Sequence, residues 1–360
     1  MSKLMKKDNR LMSLLSVWGI ILVVLGHSGF EEPIIQQKLK FLHDWIYSFH
    51  MPLFFMISGY LFSHTNDSLT DINPQKFIRK KTLRLLVPYV VLGIILYGIK
   101  YCFAGFSHAS RDFSVSNFFL MFISPGNENS TMGYLWYLFT LYIIFLLVLS
   151  LGMIKIDLKN PICAFPAIAI AVIFIYCFPK IGLFNLSSVM QYLPYFLIGI
   201  LYKQYEFKLQ FLITPSANMT INNCDTHNSK ISGPVKLLVY IVLSLSFSIA
   251  DLPGGAIVNM VRAIIGILMS IQLCSLLLDN AWIQQYILPM SNFTYAIYLL
   301  SWFGQYAVKI ITVNILNLHW SIVVLSMFIA GLLIPILVCK IVDRYSILRN
   351  QKWLRLIIGY

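Results

Sequence analysis

The sequence predicts an all-α, polytopic membrane protein of about ten transmembrane helices with both termini in the cytoplasm. Three observations predict it. Hydrophobic residues make up 58% of the 360 and charged residues only 11%, whereas a soluble domain carries roughly 25% charged residues. The charges are also clustered, so the apolar runs between them reach the ~20 residues needed to cross a bilayer core. Finally, the Lys and Arg clusters fall in alternate connections, as cytoplasmic loops do. A mean hydropathy of +0.76 excludes a soluble globular enzyme. The net charge of +13 is read as a topology signal and not as affinity for nucleic acid.

Ten spans are expected at 11–29, 43–62, 85–103, 134–153, 162–178, 190–205, 235–250, 257–278, 293–313 and 320–341. Each is an apolar run bounded by polar or basic residues. The stretch 113–123 is apolar but too short to span, and is expected to lie in the interface or to re-enter. Basic residues orient the set: Lys3, Lys6, Lys7 and Arg10 in the leader, then Lys76, Arg79, Lys80, Lys81 and Arg84 in the second connection. Lys203, Lys208, Lys230 and Lys236 mark the sixth connection, and Arg344, Arg349, Lys352 and Arg355 the tail. The connection 279–292 fits least well, because it is expected in the cytoplasm and has no Lys or Arg. The leader has no small-residue cleavage site, so no removable signal segment is expected. The polar stretch 207–234, rich in Asn, Ser and Thr, is the one long loop, expected to be cytoplasmic. The whole chain, 1–360, reads as a single transmembrane domain.

Few residues in these spans carry chemistry. The first span closes on Leu25-Gly26-His27-Ser28-Gly29. An imidazole at membrane depth is costly and marks a site by default. His27 suits a general base near neutral pH, or else an interfacial histidine bonded to a backbone carbonyl. Glu31, Glu32 and Asp44 follow on the outer side, either as a solvated loop or as carboxylates that orient His27 through its other ring nitrogen. His50 enters the same outer half from the second span, so the two histidines are expected to face one cavity. Further along, Pro52 frees backbone groups, and Ser58-Gly59 permits close helix approach. No third soft ligand lies near the histidines and the six cysteines have no ligand spacing, so no metal centre is expected. Lys76, Lys80 and Arg84, at i, i+4 and i+8, fall on one helical face. They read as a topology signal touching anionic headgroups or as a phosphate clamp. Arg262, inside the eighth span beside Asn259, needs a buried partner and marks a pocket. Trp136 has the position of an interface-belt aromatic.

Together these blocks resemble a known family. The first span's Trp18-Gly19-Ile20-Ile21-Leu22-Val23-Val24-Leu25-Gly26-His27-Ser28 is similar to the first helix of the membrane acyltransferase-3 family. So are the run from Phe49 to Phe62, the basic stretch Arg79-Lys80-Lys81-Thr82-Leu83-Arg84 leading to Pro88-Tyr89, Leu135-Trp136-Tyr137-Leu138, and the late Tyr295-Ala296-Ile297-Tyr298-Leu299-Leu300. The resemblance runs over residues 10–345 and is carried mainly by the first three blocks. Two positions depart from it. Ser16 stands where the family usually has Arg or Lys, and Ser301-Trp302 stand where many relatives have a histidine after the late Tyr-Leu-Leu run.

The resemblance implies a ten-helix bacterial inner-membrane O-acyltransferase. It would take an acyl group, acetyl being the expected one, from cytoplasmic acetyl-CoA or another acyl-CoA. The acceptor would be a sugar hydroxyl of a cell-envelope polysaccharide or its lipid-linked precursor. His27 would be the catalytic base, with Glu31 or Glu32 orienting it. His50, Ser58, Tyr60, Trp136 and Arg262 form the expected acceptor-binding set, and Arg79, Lys80 and Arg84 would hold the CoA phosphates. Because the ~30 Å bilayer core separates clamp from base, either the pantetheine arm reaches into a cavity or an acyl-enzyme carries the group across. The competing reading is a glycan exporter or flippase without acyl-transfer chemistry.

Overall fold

The structure is a computed structural model. It describes residues 2–66, 68, 70–102, 114–125, 132–178, 180–206, 208–209, 232–250 and 255–359, with side chains from Arg10 onward. Among the described residues there are helices and no strands. The main helices are α1 (Ser2–Gly26), α2 (Pro33–Thr65), α3 (Pro74–Lys81), α4 (Val87–Cys102), α5 (Val115–Ile123), α6 (Trp136–Met153) and α7 (Pro161–Cys177). They continue as α8 (Leu186–Tyr205), α9 (Gly233–Ile249), α10 (Ala256–Leu277), α11 (Thr294–Lys309), α12 (Trp320–Arg344), α13 (Ser346–Arg349) and α14 (Lys352–Ile358).

Six helical stretches among the described residues are long and apolar enough to cross a bilayer, and the apolar helices at Arg10–Gly26, Pro161–Cys177 and Gly233–Ile249 are shorter. Their surfaces fit lipid. Along α12 the exposed side chains Ile322, Leu325, Ile329, Leu333 and Leu337 recur every three or four residues. A soluble helix would bury that stripe. The protein is therefore an all-helical, multi-pass membrane protein.

Several boundaries differ from those read in the sequence. The first helix stops at Gly26, so His27 lies in the turn beyond it. The second begins at Pro33, ten residues before the expected 43, because proline is pre-organised for the first helical position. The connection 279–292 is mostly helical. A π turn at Ile283–Ile287 and a 3-10 turn at Leu288–Phe293 lead straight into α11. A second π turn, Thr82–Leu86, joins α3 to α4. These two π turns each end two residues before a proline, Pro88 or Pro289, whereas a third, Ile310–Ile315, has no proline after it. Proline has no N–H to donate and its ring crowds the carbonyl four residues back. The chain instead makes five-residue bonds, from Val87 N–H to the Thr82 carbonyl and from Leu288 N–H to the Ile283 carbonyl. Within 113–123, α5 is only nine residues and is fastened by the Tyr89 hydroxyl, which donates to the Met121 and Phe122 carbonyls. Most of 207–234, with Cys224, lies outside the described residues. The remaining five cysteines are free.

The chain forms two compact units, residues 1–61 with 198–337 and residues 62–197 with 338–360. In the first, Leu22, Ile46, Phe49 and Met269 form a buried cluster surrounded by Trp18, Trp45 and Tyr240. Two indole N–H groups pin α1 and α2 to neighbours: Trp18 donates to Ser270 Oγ at 3.1 Å and Trp45 to Ser244 Oγ at 2.8 Å. The close helix approach expected at Ser58-Gly59 is made by Gly199 of α8, where any Cβ would strike the backbone of Met56 and Tyr60. The second unit is built on aromatic packing. Phe62, Phe77, Phe145 and Phe196 meet edge to face or tilted, and the Lys81 ammonium sits 3.5 Å over the Phe145 ring.

Candidate functional site

The site is set by the way α1 ends. After Gly26 the chain turns back through His27-Ser28-Gly29. Ser28 N–H bonds the Leu25 carbonyl at 3.0 Å, and Glu32 N–H bonds that of Gly29 at 2.9 Å. Gly29 holds φ at +84°, where L side chains rarely sit, and a Cβ there would lie 2.8 Å from Ile35. Beneath this turn Phe30, Ile35, Val323 and Met327 form a small buried cluster. The turn is thus tied down, and the His27 ring is left exposed at its rim.

His27 opens onto a cavity of about 260 Å³. Glu31, His43 and Tyr47 line it from the turn and α2, and Trp302, Gln305, Tyr306 and Lys309 line it from α11. The Tyr47 hydroxyl lies 3.4 Å from His27 Nδ1 and 3.4 Å from the Gly26 carbonyl oxygen. The His43 ring stacks on Tyr47 at 3.9 Å, and Trp302 stacks on Tyr306 at 4.7 Å, nearly parallel. Lys309 Nζ bridges Glu32 at 2.9 Å and Glu31 at 3.2 Å. The Glu31 charge also lies within electrostatic reach of the His27 ring. Gln305 Nε2 donates to the Val24 carbonyl at 2.8 Å and to Ser28 Oγ at 3.1 Å. The cavity therefore offers an imidazole, two aromatic faces and a charged rim.

The other residues singled out in the sequence lie elsewhere. His50 is buried. Its Nδ1–H donates to the Ile46 carbonyl at 2.9 Å and its ring meets the Tyr47 ring at 4.7 Å, but it does not line the cavity. The second histidine there is His43, seven residues earlier on α2. Asp44 pairs with Lys40 at 2.9 Å and with His43 at 3.3 Å. Ser58 and Tyr60 are farther along α2, Tyr60 about 20 Å from Tyr47 at 1.5 Å per residue. The Tyr60 hydroxyl donates to Glu206 at 3.0 Å, and Lys203 holds the same carboxylate at 3.0 Å. Arg262 Nε donates to the Phe247 carbonyl at 3.1 Å, which ties α10 to the end of α9. Ser16 Oγ donates to the Met12 carbonyl at 2.8 Å.

Trp136 and the basic residues belong to the second unit. Trp136 packs against Tyr192 with ring centres 5.2 Å apart. Arg79 and Lys80 are exposed on α3, which Asn73 caps by accepting from Lys76 N–H. Arg84 is exposed on the π turn that follows. Bonds five residues long rotate the chain differently from α-helical ones, so Arg84 leaves the straight face that Lys76 and Lys80 define. Among the described residues, no group of three His, Cys, Asp or Glu side chains is placed to hold a metal ion.

His43, Tyr47, Trp302, Gln305, Tyr306 and Lys309 were not read from the sequence as site residues. Their spacing carried a signal. Positions 301, 305 and 309 repeat every four residues on an apolar helix, as do 302 and 306, and 43 and 47. The acyltransferase-3 profile, described as an acyltransferase domain, matches residues 12–340, taking in both the His27 turn and the basic helix. No curated protein and no solved structure matches the chain.

Proposed function

The chain belongs to the acyltransferase-3 family, and on that premise we propose that it is an O-acyltransferase of the bacterial inner membrane. It moves an acetyl group from cytoplasmic acetyl-CoA to a sugar hydroxyl of a cell-envelope polysaccharide or its lipid-linked precursor. Residues 1–360 act as one catalytic domain of ten spans with both termini cytoplasmic. The observation that carries this reading is His27, the family's catalytic position by motif, open to a cavity with stacked aromatic faces.

The bonding around His27 supports a base. The Gly26 carbonyl only accepts, so the Tyr47 hydroxyl donates to it and its oxygen accepts from His27 Nδ1–H. That leaves the Nε2 lone pair for the substrate. His27 Nε2 takes the proton of the acceptor hydroxyl as its oxygen attacks the thioester carbonyl. The C–S bond breaks and the proton goes to the departing thiolate. Glu31 supports the imidazolium that forms between these steps. Trp302 and Tyr306 offer ring faces to the apolar side of a sugar. His50, Ser58, Tyr60, Trp136 and Arg262 are the acceptor-binding set of this reading. Comparison of the envelope glycan with and without the gene tests the reading. A lost ester with unchanged polymer export supports it, and lost export with unchanged ester returns the chain to the exporter class.

Arg79, Lys80 and Arg84 hold the CoA phosphates in this reading. Their exposure on the last turn of α3 and the π turn that follows supports it, since planar guanidinium forks suit phosphate oxygens. Arg84→Lys separates this from a topology role, because Lys counts equally for topology. Loss of a charge-assisted bond costs about 1–3 kcal/mol, or roughly a five- to hundredfold loss of affinity. Acyl-CoA binding to purified protein in detergent measures it, and equal affinities return the stretch to a topology signal.

A further inference from the structure

Gln305 is 2% exposed and lines the cavity. Its amide has one permitted orientation. Nε2 donates to the Val24 carbonyl at 2.8 Å and to Ser28 Oγ at 3.1 Å. Ser28 Oγ gives its own proton to the same Val24 carbonyl at 2.7 Å, so towards Gln305 it is an acceptor. Turning the amide over would set its oxygen against a carbonyl oxygen and a hydroxyl lone pair. With the orientation fixed, Oε1 is left buried and has no hydrogen-bond partner among the described residues. Buried acceptors are seldom left unmade, and Gln305 is one of the residues that line the cavity.

The same network touches the turn that carries His27. The Val24 carbonyl that receives Gln305 Nε2 also receives the backbone N–H of His27 at 3.3 Å, and that N–H has a shorter bond to the Val23 carbonyl at 3.1 Å. The cavity volume of about 260 Å³ lies just below the range for drug-sized ligands, which suits a single sugar ring.

We propose that Gln305 Oε1 accepts a hydrogen bond from a second hydroxyl on the acceptor sugar ring, so that Gln305 selects which sugar is acylated. This rests on the acyltransferase reading with a sugar acceptor. Val24 and Ser28 are positioning groups that aim the oxygen, and His27 is the group that touches the reacting hydroxyl. A ring lacking the second hydroxyl leaves Oε1 unmade and is rejected. Sites built to bond a substrate hydroxyl discriminate strongly against the analogue without it.

The test uses purified full-length protein, labelled acetyl-CoA, and the methyl glycosides of glucose, galactose and mannose with their monodeoxy analogues. The wild type should prefer a parent glycoside over one monodeoxy analogue by about tenfold or more in kcat/KM. In Gln305→Met that ratio should fall to about one, with the loss confined to the parent. This variant keeps the side chain's length, and the Val24 carbonyl keeps the Ser28 hydroxyl as donor. Gln305→Leu serves the same comparison if the Met variant does not accumulate. Ser28→Ala removes one of the two groups that aim Oε1 and should lower the discrimination without abolishing it, since the Val24 carbonyl still receives Nε2. A uniform loss on parent and deoxy glycosides in the Gln305 variants overturns the assignment and makes the residue a packing group. A wild type indifferent to every deoxy position other than that of the acylated hydroxyl overturns it as well. No wild-type transfer to any glycoside removes the sugar-acceptor reading itself and the assignment with it, an outcome visible before any variant is made.

Discussion

Replacing His27 by Ala is expected to lower acyl transfer by about 10²–10⁴-fold, the contribution of a positioned general base, while the protein still inserts at wild-type levels. The fold does not depend on this ring. It lies beyond the end of α1, faces a cavity, and its one described side-chain hydrogen bond is a long 3.4 Å contact with Tyr47. Turn geometry comes from the backbone bonds of Ser28 and Glu32 and from Gly29, none of which uses the imidazole. Ester content of the envelope glycan, normalised to protein in the membrane, is the measurement. Near-normal ester in the variant would remove His27 from the mechanism. Tyr47→Phe should cost only several-fold, because 3.4 Å is too long for a strong bond. His50→Ala should act differently. It empties a buried position and frees the Ile46 carbonyl, so stability should fall more than turnover.

Helices and the end of the first one near His27 were legible in the sequence, because both are local properties. Apolar length marks a span, and the Leu-Gly-His-Ser-Gly run marks where the first one ends. Each expected span overlaps a helix among the described residues, although 11–29 runs past the end of its helix at Gly26; the largest differences are at 33–43 and 279–292, where proline started or bent a helix inside an assumed loop. The cavity's far wall was not legible. Gln305 and Lys309 meet the turn at Ser28 and Glu31 across sequence separations of 277 and 278, and no local pattern specifies which helix will pack there. Their chemistry was nevertheless visible. The rule that singled out Arg262, a charge inside an apolar span, applies equally to Lys309 within 293–313. Arg262 proved to bond the Phe247 carbonyl, whereas Lys309 sits on the cavity. His50 drew attention because it lay inside the expected span and His43 fell at its edge. Once α2 is extended to Pro33, His43 is a helical residue one turn from Tyr47, and the pair faces the cavity together.

Lys309→Met is expected to reduce transfer by about five- to hundredfold without changing membrane insertion. The lysine is the last residue of α11, one turn beyond Gln305, and its ammonium joins that helix to both carboxylates of the turn that presents His27. Glu32 and Lys309 keep only 22% and 18% of their side-chain surface exposed, so their 2.9 Å contact is poorly screened. Hydrogen bonds of this charged kind are worth about 1.5–3 kcal/mol. Removing the lysine leaves two adjacent carboxylates without their shared cation, and their repulsion loosens the turn on which the base sits. The larger part of the penalty is the unpaired charge and not the lost contact, which gives the prediction its sharpest form. Combining Lys309→Met with Glu32→Gln, which leaves Glu31 beside His27, should recover much of the lost rate, and Lys309→Arg should retain most of it. Initial rates with labelled acetyl-CoA, each normalised to folded protein in detergent, provide the comparison. If the neutralised double variant is as slow as Lys309→Met alone, the lysine acts on the substrate directly and not by holding the turn.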